Sequence, residues 1–237
     1  MTLAVLSTKD QVEAARSVLD RRGLSCVTPE WKAALLRFHL LPGFRIGDRI
    51  KSWDMLKTVE FIETHAGKDA PILDIGAYAC ELPPVLHRLG YKHVAAVDLN
   101  PDIVRMPYAG AVNYRVGDFL RAPFPDGSFA AVTAISVIEH GFNGPALATE
   151  VGRLLKPGGF FIASFDYWPE KIATDDIELF GMSWTIFSKP EVERFIAVAK
   201  GKDLVLYGPL EFNAGDKPIS CFGRDYTFAW LVLRKSE

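Results

Sequence analysis

Apolar positions along the chain change their period near residue 70. Before it they recur every three or four residues: Val12, Ala15, Val18 and Leu19 form one stripe, Met55, Leu56, Val59 and Ile62 another. That spacing predicts helices with one buried face. Thr8 with Gln11 makes a capping box, and Gly23 is placed to end the first helix. A second helix is expected over about 29–41, ahead of the Pro42-Gly43 break. Ser52 is expected to cap a third, which should stop near Gly67.

Beyond Pro71 short apolar runs replace the stripes, at about 72–75, 93–98, 112–115, 129–135 and 159–165. Helical segments lie between them, opened by Pro83-Pro84, Pro101 and Pro145, with Gly90 as a stop. Such alternation is the sign of βαβ units and a mostly parallel sheet. Ser188 and Glu191 form a second capping box ahead of Val192, Phe195 and Ile196, with Gly201 closing that helix. Leu204–Phe212 and Tyr226–Leu233 follow with no helix between them and should pair as an antiparallel hairpin at a sheet edge. Residues 1–67 thus read as an N-terminal helical cap or lid and 68–237 as the sheet domain, one compact unit in all.

Composition narrows the function classes. The 237 residues are 49% hydrophobic and 12% aromatic, enough for one well-filled core and too apolar for disorder. Lys and Arg total 27 against 29 Asp and Glu, a formal net charge of −2. This removes the bulk attraction on which nucleic-acid and anionic-membrane binders rely. Cys26, Cys80 and Cys221 show no paired metal-type spacing, which favours a reducing compartment, and a cytoplasmic location is expected. No apolar window approaches a membrane span, and MTLAVLSTKDQ lacks the features of a secretory signal, so no membrane partner is expected.

The chemistry-bearing stretch is PILDIGAYACEL at 71–82 followed by HVAAVDLNPDIV at 93–104. A buried strand running through a tight turn into a helix offers backbone N–H groups to a ligand, and Gly76 lets that backbone come close. Asp98 ends the next strand, 22 residues after Gly76, where a carboxylate can accept both hydroxyls of an adenosine ribose. A dinucleotide would need G-x-G-x-x-G, but Tyr78 and Glu81 occupy the later glycine positions. A dehydrogenase is thereby disfavoured. Asp74, two residues before the glycine, suits instead a ligand carrying sulfonium and ammonium charge.

Residues 71–165 resemble the class I S-adenosylmethionine-dependent methyltransferases. The first motif of that family, D-x-G-x-G-x-G, is matched by Asp74 and Gly76 and departed from at Tyr78 and Cys80. The later motifs stand in order: VDLNP at 97–101, GDF at 117–119, FPDGSFAAVTAISVIEHG at 124–141 and LLKPGGFFIAS at 154–164, the last read as a turn ahead of a strand. The resemblance implies an α/β fold with a Rossmann-like, seven-stranded, mostly parallel sheet. It implies S-adenosylmethionine as cofactor, with Gly76 and Ala77 against the methionine part, Asp98 on the ribose and Leu99 beside the adenine. Asp118 and Phe119 would meet the adenine edge, and the Ser136 carbonyl the ammonium.

Near the ends of the fourth and fifth strands, Glu139, His140 and Asp166 are candidates for a base, His140 having the best-suited ordinary pKa. Alternatively Glu139 and His140 are a hydrogen-bonded loop pair. Related groups place a divalent metal on E-x-x-E-H, but the first acidic position here is Ser136 and His140 is the last histidine. No metal is expected. Tyr78 either walls the pocket or packs under the N-terminal helices. Tyr167, Trp168, Phe180 and Trp184 either stack on an acceptor or form a hydrophobic cluster, and Arg45, Arg49, Lys51, Ser52 and Trp53 are a lid or a solvated basic turn. The expected activity is methyl transfer to an oxygen or nitrogen of a small-molecule acceptor. Two alternatives stay open: a non-catalytic binding protein with a degenerate glycine motif, and a protein methyltransferase.

Overall fold

The structure, a computed structural model, describes residues 3–237; Met1 and Thr2, where the segment read as helical begins, lie outside them. The chain opens with β1 (Leu3–Val5), then α1 (Lys9–Arg21), α2 (Glu30–Arg37) and α3 (Ser52–His65). Next come β2 (Ile72–Ile75), α4 (Leu82–Arg88), β3 (Val94–Asp98), β4 (Asn113–Val116), β5 (Phe129–Ile135), α5 (Gly144–Leu154) and β6 (Leu155–Tyr167). A small hairpin, β7 (Glu178–Leu179) with β8 (Met182–Ser183), precedes α6 (Lys189–Lys200), β9 (Leu204–Leu206), β10 (Ile219–Cys221) and β11 (Arg224–Lys235).

The main sheet runs β1-β11-β6-β5-β2-β3-β4, with β9 and β10 also paired to β11. Pairings from β4 through β6 are parallel, and those of β11 antiparallel. Successive strand residues face opposite layers. Ala131 and Ile135 of β5 join a core with α1, α3 and α4, whereas Val132 and Ala134 join another with α5 and α6. Truncating a fully buried side chain such as Ile62 to Ala would cost roughly 2–4 kcal/mol.

Both capping boxes close as expected: the Thr8 N–H donates to Gln11 Oε1 at 3.2 Å, and the Ser188 N–H to Glu191 Oε2 at 2.8 Å. Gly23 and Gly90 take the left-handed conformation, with φ of 66° and 84°. Elsewhere the structure departs from local pattern. The N-terminal segment is not wholly helical, because β1 adds to β11 and extends the sheet. The second helix ends at Arg37, and the chain reverses at His39 with φ of 56°. Ser52 does not cap α3: a 3-10 turn over Arg49–Lys51 runs straight into it, and the Asp48 side chain caps that turn instead. Pro101 opens a 3-10 turn, not an α-helix. Gly201 does close α6, in a right-handed conformation, and within β6 residues 156–159 fall in a register shift between the paired Leu155 and Phe160, with Gly158 at φ of 75°. The hairpin strand expected over 204–212 is only β9, and β11 is an interior strand whose ladder partner β6 covers it from Phe160 to Tyr167. Among the described residues no helix is long and apolar enough to cross a membrane.

Candidate active site

The chain leaves β2 toward β3 and β4 on one side and returns to β5 on the other. Ligand sites of such sheets lie in the crevice where strand order reverses, beyond the carboxyl ends of the strands. Gly76 and Ser136, the residues immediately after β2 and β5, flank that crevice with φ of 64° and 52°. Glycine is required at 76 for two reasons. The left-handed backbone favours it, and a Cβ there would lie 2.3 and 2.5 Å from the two methyl carbons of Val137.

Asp98 closes the turn from the neighbouring strand. Its Oδ2 accepts the Tyr78 N–H at 3.0 Å and its Oδ1 the Asn100 N–H at 2.8 Å, so one carboxylate fixes both loops. Asp74 sits deeper. Paired in register with Thr133, it accepts that hydroxyl at 2.6 Å, and burial pushes its carboxyl up to about 7. It lies beneath the loop and is not part of the cavity wall, so the direct attraction expected of it has no contact to act through. Ala77 is likewise fully buried, its N–H donating to the Val97 carbonyl.

Above these residues opens a cavity of about 780 Å³, within the range of roughly 300–1,000 Å³ usual for small-ligand sites. Gly76, Asp98, Leu99, Phe119, Ser136 and His140 of the predicted residues all line it. Asp118 does not: it is exposed, and its Oδ1 caps the following turn by accepting the Leu120 N–H at 2.8 Å. Glu139 also lies outside the wall, 1% exposed. Tyr78 lines the cavity, and its ring packs 4.9 Å from Phe44 in the loop between α2 and α3.

The end of the cavity away from the glycine loop is charged. Lys51 lines it, with its Nζ 3.7 Å from Asp166 Oδ1 and 3.6 Å from the Phe228 ring centroid. Behind it stand three buried carboxyls, Asp54, Glu139 and Asp166. Burial pushes Asp54 up to about 6, opposed by the Lys51 charge. Burial and then the neighbouring Asp166 carboxylate push Glu139 well above its ordinary value, and burial raises Asp166 against the pull of Lys51. His140 moves the other way, to about 4, through burial and then Lys51. It is therefore neutral at pH 7 and a weaker base than its ordinary pKa suggests. Glu139 Oε2, Asp166 Oδ1, His140 Nδ1 and Ser136 Oγ are buried with no hydrogen-bond partner among the described residues. The cluster lacks the arrangement a metal needs: no group of three or more His, Cys, Asp or Glu among the described residues is placed to hold an ion.

Of the aromatics after β6, only Phe180 reaches the wall, with its ring edge-on to His140 at 5.2 Å. Tyr167 and Trp184 are buried. The Trp184 indole donates to Asp166 Oδ2 at 2.7 Å, and the Tyr167 hydroxyl to the Phe212 carbonyl at 3.0 Å. The basic segment divides in the same way: Arg45 and Lys51 face the cavity, Arg49 pairs with Glu13, and Ser52 and Trp53 are buried. Sequence reasoning missed Met55 on this wall and Asp54 buried behind it. The available signal was an acid beside the apolar stripe of α3, where a charge needs a buried partner. Here that partner is Ser164, whose hydroxyl donates to Asp54 Oδ2 at 2.7 Å.

Residues 73–163 match a family model described as a methyltransferase domain. That stretch is similar to methyltransferase domains, and the sheet around it has the fold of solved S-adenosylmethionine-dependent methyltransferases. A ubiquinone biosynthesis O-methyltransferase of Xanthomonas oryzae is 34% identical over 112 residues, which is 44% of this chain and 46% of that protein. A sterol 24-C-methyltransferase of Gibberella zeae is 49% identical over 45 residues, 19% of this chain and 12% of that one. The matched stretches thus span less than half the length of these relatives. Among solved structures, a sarcosine dimethylglycine methyltransferase from Galdieria sulphuraria superposes with a TM-score of 0.57 at 16% identity, covering 79% of this chain and 86% of that one. The matched stretch contains the glycine loop, Asp98 and Ser136. Lys51, Asp54 and Asp166 of the charged wall lie outside it.

Proposed function

We propose that the protein moves a methyl group from S-adenosylmethionine to an oxygen or nitrogen of a small-molecule acceptor. The observation that carries this reading is a single cavity reaching from the glycine loop and Asp98 to Lys51 and His140. S-adenosylmethionine supplies an electrophilic methyl on a sulfonium, so the chain's own contribution is to bind, orient and exclude water. Asp98 takes the ribose hydroxyls, since each oxygen keeps acceptor capacity beside its loop N–H. Leu99 and Phe119 flank the adenine. The left-handed turn at Ser136 leaves its carbonyl as acceptor for the ammonium, while Gly76 gives the methionine part its close approach.

At the other end, Lys51 and neutral His140 are polar groups on a wall otherwise supplied by Met55, Met182 and Phe180. They suit a polar acceptor atom, Lys51 by donating to an oxygen and His140 by accepting its proton or hydrogen bond. Glu139 and Asp166 stand behind them, with Glu139 raised well above its ordinary value by burial and then by the neighbouring Asp166 carboxylate. The two curated relatives are named for transfer to oxygen and to carbon, which supports methyl transfer, and the polar character of this wall supports a polar acceptor.

Calorimetry with S-adenosylmethionine and S-adenosylhomocysteine tests the reading. Binding of both is expected, and heat from neither would sink it. The departure from the glycine motif at Tyr78 and Cys80 favours a second reading, cofactor binding without transfer. It is distinguished by binding of both ligands without methyl release to any acceptor fraction.

A further inference from the structure

We propose that Arg16, on α1 and outside the cavity wall, is a positioning residue that imposes the shape of the cofactor loop from behind. This rests on the reading that the cavity binds S-adenosylmethionine. In the 76–81 turn, Tyr78 and Cys80 stand where small residues would give the backbone its freedom, and Ala79 holds a left-handed φ of 60° without being glycine. A turn so constrained needs support from its surroundings.

Glu81 supplies the link. It is 2% exposed and faces Arg16, which is 1% exposed, through a two-pronged pair: Nη2 donates to Oε1 at 2.5 Å and Nη1 to Oε2 at 3.2 Å. The Cys26 N–H also donates to Oε2, at 3.0 Å. The remaining guanidinium donors reach Ser52 Oγ at 2.8 Å and Ser25 Oγ at 3.0 Å. One side chain therefore ties α1, the 25–26 segment, the start of α3 and the cofactor turn together. The planar fork fixes direction as well as distance, which a lysine ammonium cannot do. A second tie holds Ala79 itself, whose carbonyl accepts the Gly47 N–H at 2.7 Å. Because Glu81 lines the cavity and Arg16 does not, Arg16 acts only through Glu81.

The test measures S-adenosylhomocysteine affinity by calorimetry and unfolding by urea on the full chain for the wild type, Arg16→Met, Arg16→Lys and the double variant Arg16→Met with Glu81→Gln. Gln keeps the shape of the cavity wall, and the double variant leaves no buried charge unpaired, so stability should largely return. Expected is about a tenfold loss of affinity in Arg16→Met, retained in the double variant despite its recovered stability. Hydrogen exchange should quicken at 76–81 and not in β3 or β5. Should Arg16→Met fail to fold, Arg16→Lys carries the test, with about a threefold loss expected because the fork is gone. Affinity that returns with stability in the double variant makes the pair merely structural and overturns the proposal, as does wild-type affinity in Arg16→Lys. A wild type that binds no S-adenosylhomocysteine overturns the functional reading first, and this inference with it.

Discussion

At the glycine-loop end of the cavity the facing groups are backbone and the carboxylates of Asp98 and Glu81, the latter paired with buried Arg16, whereas at the opposite end Lys51 is backed by three buried carboxyls. The first end is assembled from residues that follow strand ends, so strand register alone brings Gly76, Asp98 and Ser136 together. The second is assembled from α3, the β5 loop, β6 and β11, segments far apart in the chain. Both ends hold buried charge: the Arg16–Glu81 pair stands behind the glycine loop, and at the other end buried carboxyls stand behind Lys51 at a cost in folding stability.

The contrast breaks most sharply at Gly76. Gly76→Ala drives a methyl group into Val137 and strains the backbone, so a loss of roughly 3 kcal/mol in urea unfolding is expected, with S-adenosylhomocysteine binding abolished. Adding Val137→Ala should restore part of both. Unchanged binding in the single variant would remove close backbone approach from the account.

At the charged end, Asp54 gives a pH signature. Its folded carboxyl titrates at about 6, against roughly 3.9 when unfolded. The folded state therefore holds the proton more tightly. The resulting stabilisation is fully present below pH 4, is lost as pH rises through 6, and leaves on the order of 3 kcal/mol of penalty above it. Asp54→Asn should accordingly gain on the wild type by up to that amount between pH 4 and pH 8, read from urea midpoints. A difference constant with pH would show that the charge is not strained.

Asp98→Ala removes the acceptor of two loop N–H groups and of the ribose, and calorimetry should show roughly 100-fold weaker S-adenosylhomocysteine binding. The smallest effect sharpens the comparison best. Lys51→Met should lower methyl transfer about tenfold with S-adenosylhomocysteine affinity within about threefold of the wild type, since Lys51 serves the acceptor end. His140→Ala should act in the same sense, and a loss of S-adenosylhomocysteine affinity in either would erase the division between the ends.

The sheet was legible in the chain because strands and their punctuation are local. The runs at 72–75 and 129–135 coincide with β2 and β5, and Pro83, Pro145 and Ser188 mark real helix starts. The glycine-loop end was legible for the same reason, as Asp98 ends β3 and Gly76, Phe119 and Ser136 stand just beyond the ends of β2, β4 and β5. Errors came where tertiary contact overrides local signal. Ser52 has the chemistry of a cap, but its hydroxyl is engaged by Arg16 and by the Arg49 carbonyl, and the preceding turn takes over. Asp74 and Asp118 carry the motif but stand off the cavity wall, one bonded to Thr133 beneath the loop and one capping a turn.

What the sequence determined alone is the order of elements, the glycine turn and the strand-end carboxylate, since periodicity and turn chemistry act over a few residues. What only the tertiary structure decided is which charges are buried and against what. Arg16 meets Glu81 across 65 residues, and Asp54 meets Ser164 across 110. The burial that shifts a pKa or fixes a loop belongs to such pairs, and no local pattern encodes it.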